Sequence, residues 1–585
     1  TASITGYNVT QWMLVNNAAN LQAVGNVANL GGDYALGRSL DLAVDLGFTA
    51  PIGSLATPFS GRFDGMGRTI GNLSLTSTAS NLGLFGVVGK TGTVQNLGLT
   101  NVSINGTGAS AAVGALAGIN QGTILRSYVD GGTVSATNGD AGGLVGHNLG
   151  AVPVGTGAGP TATVANSYVS GVTVTGGQVA GGLVARNQGG MGSVSTGFAG
   201  GAAWITNSYV TGGSVSASVT AGYAGGLVGI NQNGTTSVGA GGAAQIDNSY
   251  ASSGLVSGWV KGALVGNNVA PSANISAVYW NTDSTGVLAA FGAGNAPLSG
   301  AGLTDAQMRA SANMGLLDFV NTWWQGDSTL PMLRSEWSGT ITNAHQLQLM
   351  GSNLSYNYKL GNDINLTSAL TVSAGSMWGA QGFNAIGTGS QFTGSLNGQG
   401  YTISNLHINS IAFAGQGLFS TLGPNAHVSN LNLSAATITS AGQAGVLAAM
   451  ADGALIDKVS VASSQVTGLS NVGGLVGHTQ LSAILDTQAA GNTVIALTSG
   501  YSAGVAGGLL GDSYGSFVSG GQVSGGAVSA NAYVGGLIGY AASGWGGVLT
   551  GNTVGGSVSV TAGNTIAGGL AGGNARLVVG NKGDG

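Results

Sequence analysis

Apolar residues fall in short alternating runs that rarely exceed a few positions before Gly, Asn or Ser interrupts them. The stretch AGGLVGHN (141–148), TVANSYVSG (163–171) and VTVTG (172–176) is representative. Each run is rich in Val, Thr and Tyr and bounded by Gly or Asn, which predicts strand, turn, strand, turn, strand. The runs are too short and too β-branched for a helical period. The phrase GGLVG returns throughout, as VGALAG (113–118), GGLVG (142–146), GGLVA (181–185), GGLVG (225–229) and GALVG (262–266). A second series reads AGVLA (444–448), GGLVG (473–477), GGLLG (507–511), GGLIG (535–539) and GGLAG (568–572).

The leucines of the first series are spaced 28, 39, 44 and 37 residues apart, those of the second 28, 34, 28 and 33. A unit returning at this period predicts a stacked repeat of about 28 residues, lengthened by loop insertions such as 149–162 and 189–203. The Gly pairs belong either where the chain turns with positive φ or where neighbouring coils approach closely. Two ladders run in step with the motif: Asn120, Asn148, Asn187, Asn231 and Asn267, and Tyr128, Tyr168, Tyr209 and Tyr250. Stacked Asn side chains can hydrogen-bond along their own column and tolerate a left-handed turn. The Tyr row reads either as structural stacking or as a ligand-binding stripe. In the second series the Asn column lapses to Thr479 and Asp512.

A larger duplication overlies the repeats. LQAVGNVANLGGDYALGRSLDL (21–42) matches LQLMGSNLSYNYKLGNDINL (347–366), and 51–75 matches 385–408. The pattern predicts an all-β chain of two consecutive parallel β-helical units, together one elongated rod. The first covers 1–277, with a head at 1–100 and coils at 101–277. A cap or elbow covers 278–337. The second unit covers 338–585, with a head at 338–435 and coils at 436–585. Within the elbow, Thr304 is placed to cap a short helix through Asp305, Gln307 and Met308. Trp280, Trp323, Trp324 and Trp337 gather in or at the end of this segment and form a candidate contact surface. The second copy ends without such a segment, so the chain is expected either to be part of a longer protein or to dock its open end on another copy.

Composition narrows the function. Glycine is 112 of 585 residues without a collagen register, and hydrophobic residues at 43% argue against disorder. Only 5% of residues are charged, and thirteen scattered Lys and Arg cannot neutralise a nucleic-acid backbone or an anionic membrane. No apolar run is long enough for a membrane helix, and no membrane insertion is expected. The absence of cysteine excludes disulfides and thiolate chemistry.

Catalysis by a β-helix needs carboxylates, or a metal with a base, on one face. Between Asp140 and Asp247 there is no carboxylate, and Arg186 is the one charged residue. Asp33, Asp41, Asp45 and Asp64 could attract Ca²⁺ but match no Ca²⁺ loop, and solvated turns are the plainer reading. His147 and His478 follow equivalent GGLVG motifs as turn residues. No catalytic residue, metal or cofactor is expected.

The motifs, including Gly143-Leu144-Val145-Gly146 and Gly226-Leu227-Val228-Gly229, closely resemble the GLUG repeat. The head residues Phe59-Ser60-Gly61-Arg62-Phe63-Asp64-Gly65 and Gly83-Leu84-Phe85-Gly86 resemble the module preceding such repeats in filamentous-haemagglutinin-like bacterial exoproteins. The resemblance implies a right-handed parallel β-helix, export to the cell surface, and a role as an adhesin or matrix filament. The alternatives are a polysaccharide-active β-helix enzyme and a passive spacer stalk. The partners this reading admits are further copies of the chain and host or matrix glycans.

Overall fold

The computed structural model describes residues 12–153, 157–193, 197–235, 240–269, 275–294, 298–410, 415–497, 504–542, 547–563, 566–574 and 577–583. Parts of the insertions 149–162 and 189–203 therefore lie outside the described residues. The chain divides into two units, Thr1–Gln325 with Ser373–Met377, and Gly326–Val372 with Trp378–Gly585. The segment expected as an elbow is shared between them.

Both units are built of parallel sheets in which a strand pairs with its counterpart one repeat on. In the first unit the strands Ala117–Asn120, Val145–Leu149, Val184–Gln188, Val228–Gln232 and Val265–Asn268 pair in sequence order. The second unit repeats this with Ala448–Asp452, Val476–Gln480, Leu510–Tyr514 and Ile538–Ala542. The sheets remain open among the described residues. The architecture is thus all-β and β-helix-like.

Alternation decides which side chains enter the core. Along Tyr168–Gly176, Val172 and Val174 are buried while Thr173 is exposed. The next strand keeps the register, with Val174 opposite Val215. A one-residue slip would turn the whole apolar set outward. The motif leucines of the first unit are fully buried, and their amides bond from repeat to repeat: Leu144 N to Leu183 O, Leu183 N to Leu227 O and Leu227 N to Leu264 O, each at 2.9 Å.

The motif glycines are there for close approach and not for positive φ. None of the glycines of GGLVG at 142–146 or 225–229 has a positive φ. A Cβ on Gly229 would collide with Val179 Cγ1 and lie 2.7 Å from Ala185 O and 2.8 Å from Ala180 O. The left-handed corners fall instead on the residue before Ser-Tyr: Arg126, Asn166, Asn207 and Asn248, with φ between 47° and 49°. Asn suits this region better than other non-Gly residues.

Each head carries a six-residue helix, Ala18–Ala23 and Ala344–Leu349. Asn17 and Asn343 cap them, accepting from the amides of Asn20 and Gln346. The short helix expected after Thr304 is present at Asp305–Met308 with a full capping box from Thr304 and Gln307.

Candidate functional site

The Asn column is buried and bonded along its length. Nδ2 of Asn120 donates to Oδ1 of Asn148 at 2.8 Å, Asn148 to Asn187 at 2.8 Å, and Asn187 to Asn231 at 2.9 Å. The fifth member is Asn268 and not Asn267. Asn231 donates to Asn268 at 2.9 Å, while Asn267 lies in register with Ile230. The earlier members each lie four residues after their motif leucine, and the same count from Leu264 reaches Asn268. In the second unit the same correction applies: Thr479 pairs with Ser513, and Asp512 pairs with His478. Thr479 Oγ1 donates to Ser513 Oγ at 2.8 Å, but the register neighbours on either side are Ala451 and Ala541, so the column shrinks to this one pair.

A serine ladder, which the sequence reading missed, runs beside it. The amides of Leu97, Ser127, Ser167 and Ser208 donate to Oγ of Ser127, Ser167, Ser208 and Ser249. Its signal was the invariant Ser of RSY and NSY within this chain.

Tyr128, Tyr168, Tyr209 and Tyr250 stack with centroids 4.8–5.0 Å apart and interplanar angles of at most 10°. Tyr279 continues their register. Trp323 lies over Tyr209 and Tyr250 with 0% exposure, its Nε1 donating to Asn248 Oδ1. Trp280 is also buried, placed after Ala251 in the core column with its Nε1 on Leu288 O. The expected contact surface is corrected accordingly. Trp280 and Trp323 are internal packing, and Trp324 and Trp337 are half-buried. Large apolar groups attract cover before they attract ligands. Among the described residues the most exposed tryptophan is Trp259, at 73%.

The acidic head residues serve turns and neighbours. Asp33 takes a bidentate contact from Arg62, which holds its carboxyl below the usual carboxylate range. Asp41 bonds Asn72 and the Ala43 amide, Asp64 bonds Gln95, Asn96 and the Met66 amide, and Asp45 accepts from the Ala18 amide. No group of three metal-ligating side chains occurs among the described residues.

Two places set a charged side chain beside a cleft. In the first unit Asp140 accepts from His147 Nε2 at 2.8 Å and from Arg186 Nε. Burial pushes the Asp140 carboxyl up, but the hydrogen bonds and charges of His147 and Arg186 outweigh it, so the net shift is downward. The three groups satisfy one another beside a cleft of about 370 Å³ that Arg186, Gln178 and Tyr223 help line.

The second place is the outward face of the second head. Strands Thr340–Ile341, Asn357–Leu360 and Ser395–Asn397 pair side by side, with Lys359 between Thr340 and Asn397. They form the floor of a cleft of about 470 Å³ whose lining includes Tyr356, Asn357, Lys359, Asn397 and Gln399. Tyr356 is 41% exposed and meets Trp337 edge to face at 4.8 Å. Trp337 Nε1 donates at 3.0 Å to Tyr358 Oη, which donates in turn to Asn353 O. Burial raises the Tyr358 phenol against the opposing effect of that Trp337 contact. Of the four tryptophans singled out in the sequence, Trp337 is the one that supports an open cleft. Tyr356 and Lys359 were missed, although the contrast of GDYAL (32–36) with YNYKL (356–360) in the duplicated heads carried the signal. Lys359 makes no ion pair among the described residues, so this cleft, unlike that at Arg186, retains an uncompensated charge.

No protein-family profile matches the chain. A "Putative Gly-rich membrane protein" of Evansella cellulosilytica is 39% identical over 122 residues, 20% of this chain and 14% of the relative. "Halomucin" of Haloquadratum walsbyi is 35% identical over 142 residues, 23% of this chain and 2% of the relative. The chain thus matches only a small part of either relative's length. Among solved structures, a putative immunoglobulin A1 protease from Bacteroides ovatus aligns with TM-score 0.34 and 22% identity, over 41% of this chain and 73% of that one. An IgA1 protease aligns with TM-score 0.26 and 17% identity, over 41% and 21%. Scores this low carry no argument about activity.

Proposed function

We propose that the chain is a right-handed parallel β-helix of GLUG-type repeats, displayed outside a bacterial cell as a non-catalytic adhesin or matrix protein. The observation that carries this reading is the fate of the recurring polar residues. The Asn, Ser and Tyr that return in every repeat of the first unit are taken up in ladders between repeats. Residues so engaged build a long scaffold and leave recognition to features that occur once. The names of the two relatives, a membrane protein and a halomucin, fit a cell-surface setting. Low charge suits contact with glycans or with further copies of the chain.

The test joins three measurements on the purified chain. Labelling of intact cells should find it outside, and a glycan array should return binding. A sugar-release assay across polysaccharides should return no turnover. Turnover, or an array without binding from a protein confined to the cell interior, overturns the proposal.

A further inference from the structure

The two heads are register-matched copies, and one of their differences exchanges a large residue for a small one across paired strands. Val15 faces Leu36 in the first head as Ile341 faces Leu360 in the second. Tyr34 and Tyr358 both donate their hydroxyls to the carbonyl five residues earlier, on Asn29 and Asn353. Counting along these strands makes Gly32 equivalent to Tyr356, and Met13 equivalent to Gly339. Large and small have changed places. In the first head a Cβ on Gly32 would lie 2.5 Å from Met13 Cε, so the glycine makes room for Met13. In the second, a Cβ on Gly339 would lie 2.6 Å from Tyr356 Cε1 and 2.7 Å from its Oη. There the glycine makes room for a tyrosine ring, which Trp337 props from its edge.

Charge has changed with shape. Asp33, Arg62 and Asp64 of the first head correspond to Asn357, Ser395 and Asn397 of the second, and buried Ala35 to exposed Lys359. These positions carry −1 − 1 + 1 = −1 in the first head and +1 in the second. Both acids have become amides, and none of the residues lining the cleft is acidic. The core under the two sites stays apolar and keeps its Tyr and Leu, with Tyr34, Phe63 and Leu36 in the first head and Tyr358, Leu396 and Leu360 in the second, so the fold does not require the exchange.

We propose that the cleft over Tyr356 binds an acidic saccharide, a uronate-type sugar that lays its ring on Tyr356 and its carboxylate toward Lys359. This rests on the reading of the chain as an extracellular glycan-contacting protein. An exposed aromatic ring held in place offers the apolar C–H face of a sugar a rigid surface at low entropic cost. The amides of Asn357, Asn397 and Gln399 supply both donors and acceptors, matching hydroxyls that do both. Asn357 Oδ1 already accepts from Ser395 Oγ at 3.0 Å, which fixes that amide's orientation. Lys359 then selects for negative charge, because an uncompensated cation gains most from an anion. The cleft volume of about 470 Å³ falls in the range of about 300–1,000 Å³ seen for small-ligand sites. An acidic peptide would use Lys359 but has no need of three amides around a flat ring.

The test is calorimetric titration of the whole chain with tetragalacturonate and with a neutral tetrasaccharide, alongside an array of acidic and neutral glycans. The wild type should bind the acidic probe at least tenfold more tightly, and added salt should narrow the difference. Lys359→Gln, an exposed change, should reduce acidic binding to the neutral level. Gly339→Met combined with Tyr356→Gly installs the first head's own packing and should abolish binding of both probes with unchanged circular dichroism. Equal affinity for both probes, an unaffected Lys359→Gln variant, or tighter binding of a glutamate-rich peptide overturns the proposal. Array binding confined to glycans that ignore these substitutions overturns it and leaves the adhesin reading standing. An array without any binding overturns it as well, and the cell-surface reading then stands or falls on the labelling of intact cells.

Discussion

Nδ2 of Asn231 donates to Oδ1 of Asn268 at 2.9 Å, and Asn267, one residue away, takes no part in that column. The middle of the column is the sensitive place. Asn187 donates to Asn231 Oδ1, Ala203 O and Gln245 O, and accepts from Asn148. Asn187→Ala therefore strands several buried groups, at a cost of about 1–3 kcal/mol for each left unsatisfied. Asn267→Ala should change stability by less than about 0.5 kcal/mol. Hydrogen exchange checks both: amides of the repeats on either side of Asn187 should lose protection, and those around Asn267 should not.

Gly229→Ala should destabilise the first unit. The added carbon meets Val179 and two backbone carbonyls, neither of which can step aside without moving a strand. Overpacking of this kind typically costs about 1–3 kcal/mol, and more where backbone is the obstacle. Gly171 has positive φ and open space around the missing Cβ, and it aligns with a corner where neighbouring repeats tolerate change. Gly171→Asn should cost only about 1 kcal/mol or less. Urea melts followed by circular dichroism would rank the two, and reversal of the order would refute the close-approach account.

These contrasts show why some features were legible in the sequence. Repeat period, strand positions and the Tyr row depend on spacing alone, and spacing is what a sequence displays. The choice of Asn268 over Asn267 was legible in the same way, because Asn120, Asn148, Asn187 and Asn231 each lie four residues after their motif leucine and Asn268 lies four after Leu264. Trp323 was legible as an aromatic but not as the cover over Tyr209 and Tyr250, since that contact spans more than seventy residues. The cleft at Tyr356 lay hidden because its evidence is a difference between two heads whose similarity had been the point of aligning them.

Removal of Trp323 tests whether the Tyr row is packing or platform. Trp323→Ala takes away a fully buried indole that contacts Tyr209 and Tyr250 and bonds Asn248. A loss of about 3–5 kcal/mol is expected from such truncation. Trp259→Ala, at a 73% exposed position, should be close to neutral. Acrylamide quenching of the corresponding Trp→Phe proteins would check the assignment: the strongly quenched fraction should fall with Trp259→Phe and stay unchanged with Trp323→Phe.

Acid should loosen the first unit through Asp140. Its folded carboxyl lies below its ordinary value because His147 and Arg186 together outweigh the burial that pushes it up. A depressed carboxylate contributes stability that is present above its unfolded pKa of about 3.9 and is lost as pH falls through the lower folded value. The wild type should therefore lose protection around Val145–Leu149 and Val184–Gln188 progressively below about pH 4. Asp140→Asn should be less stable at pH 6, where Arg186 loses its partner, and should show a flatter acid limb. Hydrogen exchange of these two strands from pH 3 to pH 6 reads both effects. A variant with the same acid slope as the wild type would remove Asp140 as the source.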